Sequence, residues 1–279
     1  MKKINFCIAA LIAAALLTPC VSVSAAADTS SMGDAGTCCL AMDAKNDGII
    51  YCDNMNTPCY PASITKIMTA MLIFNNLEPN DTITVTQAAA DATPADSSGI
   101  DLTVGETFTV EEAEYILLLK SDNEMANAFA IKISGSISAF ASLMNRTAQS
   151  LGANNTHFVN PSGYYADGHV TTCHDMALIM KKAVQNPDFV KVMSTPQYRL
   201  NTQTRNQTLV NDDQMILSSS PYYTKSVICG KTGYTDEAMH TLVSYASDSG
   251  RSVITVVMRA TKAGQYDYTR SLLDIAFYK

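Results

Sequence analysis

The segment that opens at Pro61-Ala62-Ser63 limits what this chain can fold into more than any other. Behind Ser63, Ile64, Ile67, Met68, Met71 and Leu72 recur at helical spacing with almost no polar interruption, the pattern of a helix buried on most sides. Such a helix needs structure packed all round it, so the chain must build a domain large enough to enclose it. With 279 residues and 47% apolar content, it has the material. Among the few polar side chains in this stretch are the hydroxyl of Ser63 and the amine of Lys66. These two stand three positions apart and so share a face.

Around this helix the pattern changes along the chain. Leu40-Ala41-Met42 and Ile49-Ile50-Tyr51, separated by a loop ending in Asp47-Gly48, read as a hairpin. The middle is helical. Thr109 caps a segment through Leu119, Asp122 to Ile133 gives a second helix, Ser136 to Leu151 a third, and Asp175 to Val184 a fourth that Asn186-Pro187 stops. The last third returns to strands at 226–229, 241–246 and 252–258, with Asp248-Ser249-Gly250-Arg251 turning between the last two, and closes with a helix from Tyr266 to Tyr278. The expected fold class is therefore α+β: an antiparallel sheet built from both chain ends, an inserted helical lobe, and a cleft between them.

The N-terminus reads as a secretory signal over residues 1–26. Lys2 and Lys3 precede an apolar run from Ile4 to Leu17, and small residues follow, with cleavage expected near Ala25 to Ala27. Residues 27–37 form a Ser/Gly/Ala-rich linker, and 38–279 the functional domain. Leu17-Thr18-Pro19-Cys20 loosely resembles a lipoprotein processing site, although Pro19 fits it poorly. Losing Lys2 and Lys3 takes the formal charge from −7 to −9, which argues against nucleic acid or anionic lipid as the main partner. No later segment has the pattern of a membrane span or C-terminal anchor. Export permits disulfides among Cys38, Cys39, Cys52, Cys59, Cys173 and Cys229, with the pairing left open. There is no C-x-x-C pair and no metal spacing among the histidines, so no metal or cofactor is expected.

The chemistry lies in three short clusters. In Ser63-Ile64-Thr65-Lys66 a weak nucleophile stands beside an amine whose apolar surroundings favour loss of its charge, so the amine can take the hydroxyl proton. Ser121-Asp122-Asn123 lies at the junction of two helices. Lys231-Thr232-Gly233, at the end of an expected strand, offers a cation, a hydroxyl and a position without a side chain, which together suit an anionic group and a close backbone approach.

Taken together and in this order, the three clusters resemble the active-site signatures of penicillin-binding proteins and class A β-lactamases. The flanks Pro61 to Ala70, Gly105-Glu106, Ser121 to Ala126, Asn160-Pro161-Ser162-Gly163, His169 to Asp175 and Lys231 to Ala238 are similar to the low-molecular-mass D-alanyl-D-alanine carboxypeptidases over roughly residues 38–279. The resemblance implies a β-lactamase/transpeptidase-like fold. It implies a serine peptidase that removes the terminal D-alanine from peptidoglycan stem peptides outside the cytoplasm and is inhibited covalently by β-lactams. By the same resemblance Ser63 attacks, Lys66 takes its proton, and Ser121 relays a proton to the leaving amine. Asn123 holds Lys66 and the substrate amide, Lys231, Thr232 and Gly233 receive the substrate end, and Tyr234 N–H joins Ser63 N–H in an oxyanion hole.

The resemblance has departures. Asp122 stands where these carboxypeptidases more often carry Gly, and it is the β-lactamase-like residue. A class A β-lactamase, however, needs a glutamate after this cluster, and none occurs between Glu124 and Glu237. A β-lactamase, a DD-endopeptidase and a non-catalytic penicillin-sensing or wall-binding module are the rival readings. Arg259 or Lys262 is a candidate for the substrate carboxylate. His169 and His174 are read as capping and packing residues, Asp236 and Glu237 as loop-ordering ones.

Overall fold

The computed structural model describes residues 36–278; the expected signal and all but two residues of the expected linker lie outside the described residues. Strand β1 (Cys38–Asp43) turns back as β2 (Ile49–Asp53), the turn held by Asp43 Oδ1, which accepts from Lys45 N at 2.8 Å. A 3₁₀ turn over Ala62–Thr65 feeds α1 (Lys66–Asn76). The lobe follows with β3 (Thr82–Thr84), α2 (Gln87–Asp91), β4 (Thr107–Thr109), α3 (Val110–Leu119), α4 (Asn123–Ser134), α5 (Ile137–Ser150), α6 (Cys173–Ala183) and α7 (Pro187–Met193). A ribbon of β5 (Gln197–Asn201) and β6 (Asn206–Val210) precedes β7 (Val227–Thr235), β8 (Met239–Asp248), β9 (Arg251–Ala260) and α8 (Gly264–Tyr278).

The main sheet runs β2-β1-β9-β8-β7, all antiparallel, so the expectation of a sheet drawn from both chain ends holds. β1 pairs with β9 from Cys38 opposite Met258 to Asp43 opposite Val253. Successive side chains of β1 alternate between two cores, because a strand presents alternate residues to opposite faces. Cys38, Leu40 and Met42 join the lobe-side core with α1 and α6, whereas Cys39 and Ala41 join Leu272, Leu273 and Ala276 of α8. α1 lies inside the lobe-side core, with every residue from Lys66 to Ile73 buried. The β8–β9 turn has Ser249 and Gly250 at φ of 50° and 81°, the consecutive left-handed pair that a two-residue hairpin needs.

Helix starts follow local chemistry. Thr109 and Glu112 form a reciprocal capping box on α3, and Asp122, Ser136 and Thr172 cap α4, α5 and α6. Three expectations need correction. α6 begins two residues earlier than expected, at Cys173. Asn186-Pro187 starts a helix as well as ending one, since Asn186 caps α7 and Pro187 fits its first turn. Lys231-Thr232-Gly233 lies within β7 instead of at its end. The ribbons β3–β4 and β5–β6 went unforeseen: the first has three-residue strands, and the second is largely polar and exposed.

Glu114 on α3 is only 3% exposed, and burial, with Glu111 and Asp188 adding to it, pushes its carboxyl up to about 8. The native state then keeps a proton that the unfolded chain releases near its ordinary value of 4.5, so this group's contribution to stability falls as pH rises from about 4.5 to about 8. Glu114→Gln should flatten that slope, as read from denaturant midpoints at several pH values. An unchanged pH dependence would refute the assignment.

Candidate active site

Lys66 stands at the first turn of α1 and is fully buried. Its Nζ lies 3.0 Å from Ser63 Oγ, 2.5 Å from Asn123 Oδ1 and 2.7 Å from the Ser162 carbonyl. All three partners are neutral, and Lys66 forms no salt bridge among the described residues. An ammonium so enclosed and unpaired would forfeit several kcal/mol of solvation. Burial first, then the charge of Lys231, holds the Lys66 amine well below the usual lysine range. The neutral amine has two protons and one lone pair. The protons suit the two carbonyl oxygens, and the lone pair is left facing the Ser63 hydroxyl.

The second cluster meets this pair where α3 gives way to α4. Asn123 supplies the oxygen already described, and its N–H donates to Ser98 O at 3.0 Å. Ser121 has a left-handed φ of 55°, and its buried Oγ has no hydrogen-bond partner. A strained residue carrying an unsatisfied buried hydroxyl is costly for structure alone. Ser121 is not the helix cap; Asp122 is, with Oδ1 accepting from Met125 N at 2.8 Å and Oδ2 accepting from Ile100 N at 2.9 Å. Asp122 therefore ties the loop at Ile100 to the start of α4, with its carboxylate directed at backbone amides. The same loop is gripped from β5–β6 by Arg205, which donates to the Ile100 and Asp101 carbonyls and pairs with Glu106 at 2.6 Å.

The third cluster arrives on β7. Lys231 is 2% exposed; burial pulls its amine down to about 8, opposed by Asp212 and Asp213. Its Nζ donates to Thr232 O at 2.9 Å. At Gly233 a Cβ would lie 2.8 Å from Ser63 N and 2.5 Å from Thr241 Oγ1, so the missing side chain lets β7 run against the Ser63 backbone. Thr241 on β8 locks the approach by donating to Pro61 O at 3.0 Å. Tyr234, next along, is exposed, with its hydroxyl donating to Asp236 at 2.7 Å. The structure thus joins Ser63, Lys66 and Asn123 by hydrogen bonds, packs Gly233 against Ser63 and sets Lys231 where its charge bears on Lys66, while Ser121, Thr232 and Tyr234 flank these residues in the chain.

The turn Asn160-Pro161-Ser162-Gly163 completes the enclosure. Thr69 on α1 donates to Pro161 O at 2.6 Å, and a Cβ on Gly163 would fall 1.9 Å from Ala62 O. His169 fits its packing role: it is buried, held down to about 3 chiefly by burial, and its Nδ1 accepts from Val159 N, leaving Nε2–H to donate to Thr65 at 3.0 Å. Of the two candidates for a carboxylate, Arg259 lies against Gly36 on the β1 side of β9, two strands from β7. Lys262 is the one whose charge reaches His240, beside Tyr234. The sequence reading missed Ser162, whose carbonyl accepts from Lys66, and the pairing of Lys120 with Asp212 near Lys231. No group of three or more metal-binding side chains occurs among the described residues.

A family profile described as D-alanyl-D-alanine carboxypeptidase matches residues 24–262. The D-alanyl-D-alanine carboxypeptidase DacF of Bacillus subtilis is 32% identical over 277 residues, spanning 96% of this chain and 69% of that protein. A D-alanyl-D-alanine carboxypeptidase of Mycobacterium tuberculosis is 30% identical over 244 residues, spanning 85% and 81%. Among solved structures, a mutant of the Streptomyces K15 DD-transpeptidase superposes with a TM-score of 0.80 at 28% identity, covering 87% of this chain and 97% of that one.

Gly163 and Gly135 both have left-handed φ, 81° and 77°, but nothing lies within 4 Å of a Cβ at Gly135. Gly135→Ala should cost about 1 kcal/mol of backbone strain. Gly163→Ala adds a clash with Ala62 and should cost several kcal/mol or prevent folding, as thermal melts of the two variants would show. Equal melting temperatures would contradict the close approach.

Proposed function

This chain belongs to the D-alanyl-D-alanine carboxypeptidase family, and from that premise we propose that Ser63 is the acylated residue and Lys66 its base. The protein is a serine-type D-Ala-D-Ala carboxypeptidase, a hydrolase. One observation carries the assignment of roles: a fully buried lysine amine, without a carboxylate partner, lies 3.0 Å from the Ser63 hydroxyl.

In the proposed reaction Lys66 takes the Ser63 proton as Oγ attacks the carbonyl between two terminal D-alanines of a stem peptide. Charge on the tetrahedral oxygen meets the N–H groups of Ser63 and Tyr234, each such donor being worth ~3 kcal/mol of barrier. Ser121 passes the proton to the departing amine, and free D-alanine leaves. Lys66 then activates water, which hydrolyses the ester. Lys231 and Thr232 receive the terminal carboxylate, and a β-lactam carboxylate would occupy the same place. Residues 1–26 serve export, so that the enzyme meets peptidoglycan outside the membrane.

The test is release of D-alanine from diacetyl-Lys-D-Ala-D-Ala together with labelling by a fluorescent penicillin. Ser63→Ala should abolish both while leaving the circular dichroism spectrum unchanged, and surviving label would remove Ser63 from the role. Lys66→Arg puts a permanent cation where a neutral amine stood and cannot supply a base, so it should be inactive; substantial turnover would remove Lys66 from the role of base. Ser121→Ala should lower kcat by about 10²-fold or more without loss of melting temperature, because it removes an unsatisfied buried group.

A further inference from the structure

Two sulfurs meet beneath the segment that delivers the nucleophile. Cys38 Sγ on β1 and Cys59 Sγ, four residues ahead of Ser63, are 3.6 Å apart and both buried, at 1% and 4% exposure. Their backbones are fixed independently. Cys38 pairs with Met258 on β9, and Cys59 is clamped to Thr171 by a bond in each direction, at 2.8 and 2.9 Å. Apart from each other, their contacts are weak ones with backbone carbonyls, Gly36 O at 3.7 Å from Cys38 and Thr57 O at 3.4 Å from Cys59. A sulfur pair seated this way on rigid backbone needs about 1.5 Å of closure to reach a bond of about 2.05 Å.

We propose that Cys38 and Cys59 form a cross-link site, oxidised to a disulfide by exchange with a donor disulfide such as glutathione disulfide, and that the bond anchors the Ser63-bearing segment to β1. The Cys38 thiolate attacks one donor sulfur and expels the other as a thiolate. Cys59 then loses its proton and attacks Cys38 Sγ in the mixed disulfide, releasing the second donor sulfur. One S–S bond forms in the protein and one breaks in the donor. Two electrons pass to the donor, and the two protons leave with its thiols. In the closed core the hydrogen bond from Cys59 brings the Cys38 thiol down to about 7 against the opposing effect of burial, with Arg259 assisting; before the core closes neither thiol has this advantage, and the exchange balances equally with Cys59 attacking first. Cys173, at the start of α6, is also buried, but burial raises its thiol far above the ordinary range. Because the sulfurs are sealed in the folded protein, exchange precedes closure of the core, and the finished bond is shielded from reductants.

The test refolds the full chain in a glutathione redox buffer, which makes it independent of export and of catalytic activity. Free thiols are alkylated under denaturing conditions, and the tryptic digest is analysed without reduction by fragmentation mass spectrometry. Cys7, Cys20 and Cys39 share the tryptic fragment of Cys38, since no Lys or Arg occurs from Ile4 to Ala44, and Cys52 shares that of Cys59. The same mapping is therefore run on Cys7→Ser/Cys20→Ser/Cys39→Ser/Cys52→Ser as well as on the wild type. The expected result is a linked pair of fragments joined through Cys38 and Cys59, about 2 Da lighter than the two thiol forms together. The oxidised protein should also melt roughly 5–10 °C above protein refolded in reductant. Separate alkylation of Cys38 and Cys59, linkage of either to Cys173, or identical melting temperatures for the two forms would overturn the proposal.

Discussion

The site is organised by one electrostatic constraint, the burial of the Lys66 amine with no carboxylate against it. Water would stabilise the ammonium and an ion pair would hold it charged; the protein supplies neither, only three neutral oxygens. The buried carboxylate of Asp122 is turned to the amides of Ile100 and Met125. Lys231 adds a second buried cation whose charge bears on the first. Burial lowers both amines, and at Lys231 the charges of Asp212 and Asp213 oppose it.

Holding a neutral lysine against a serine requires enclosure on every side, and the enclosure is made of close backbone approaches. The turn at Gly163 presses on Ala62, β7 presses on Ser63 through Gly233, and Thr241 ties β8 to Pro61. Ala62 itself has a left-handed φ of 51°, so the 3₁₀ turn carrying Ser63 is strained and held in place by its neighbours. The lobe contributes through Asp122 and Arg205, which order the loop bordering Ser121. Side chains do the chemistry, but glycine packing sets their separation.

The parts of this design visible in the sequence were those written in side-chain identity and period. Ser63 and Lys66 could be placed on one face because helical spacing is fixed, and Lys231 to Gly233 stood out as an unusual trio in a β-prone run. The sheet drawn from both ends followed from where strand-like segments lie. The Ser162 carbonyl could not be singled out, since every residue has one and only the fold decides which points at Lys66. The need for glycine at 163 comes from a partner about a hundred positions away. Helix α7 escaped because Asn-Pro ends one helix and begins another with the same chemistry, and β3–β4 is too short to show a period.

The order of the strands also has a temporal consequence. β1 finds its main partner only in β9, more than two hundred residues later, and Ser63 is pressed into place by β7, which belongs to the same late hairpin stack. Pairing over such separations is slow and must await nearly the whole chain. While a ribosome is still extending the polypeptide, the serine and its lysine are therefore just two residues of an unfinished helix. Hydrolytic competence emerges as one of the last acts of folding, wherever the completed chain is then found.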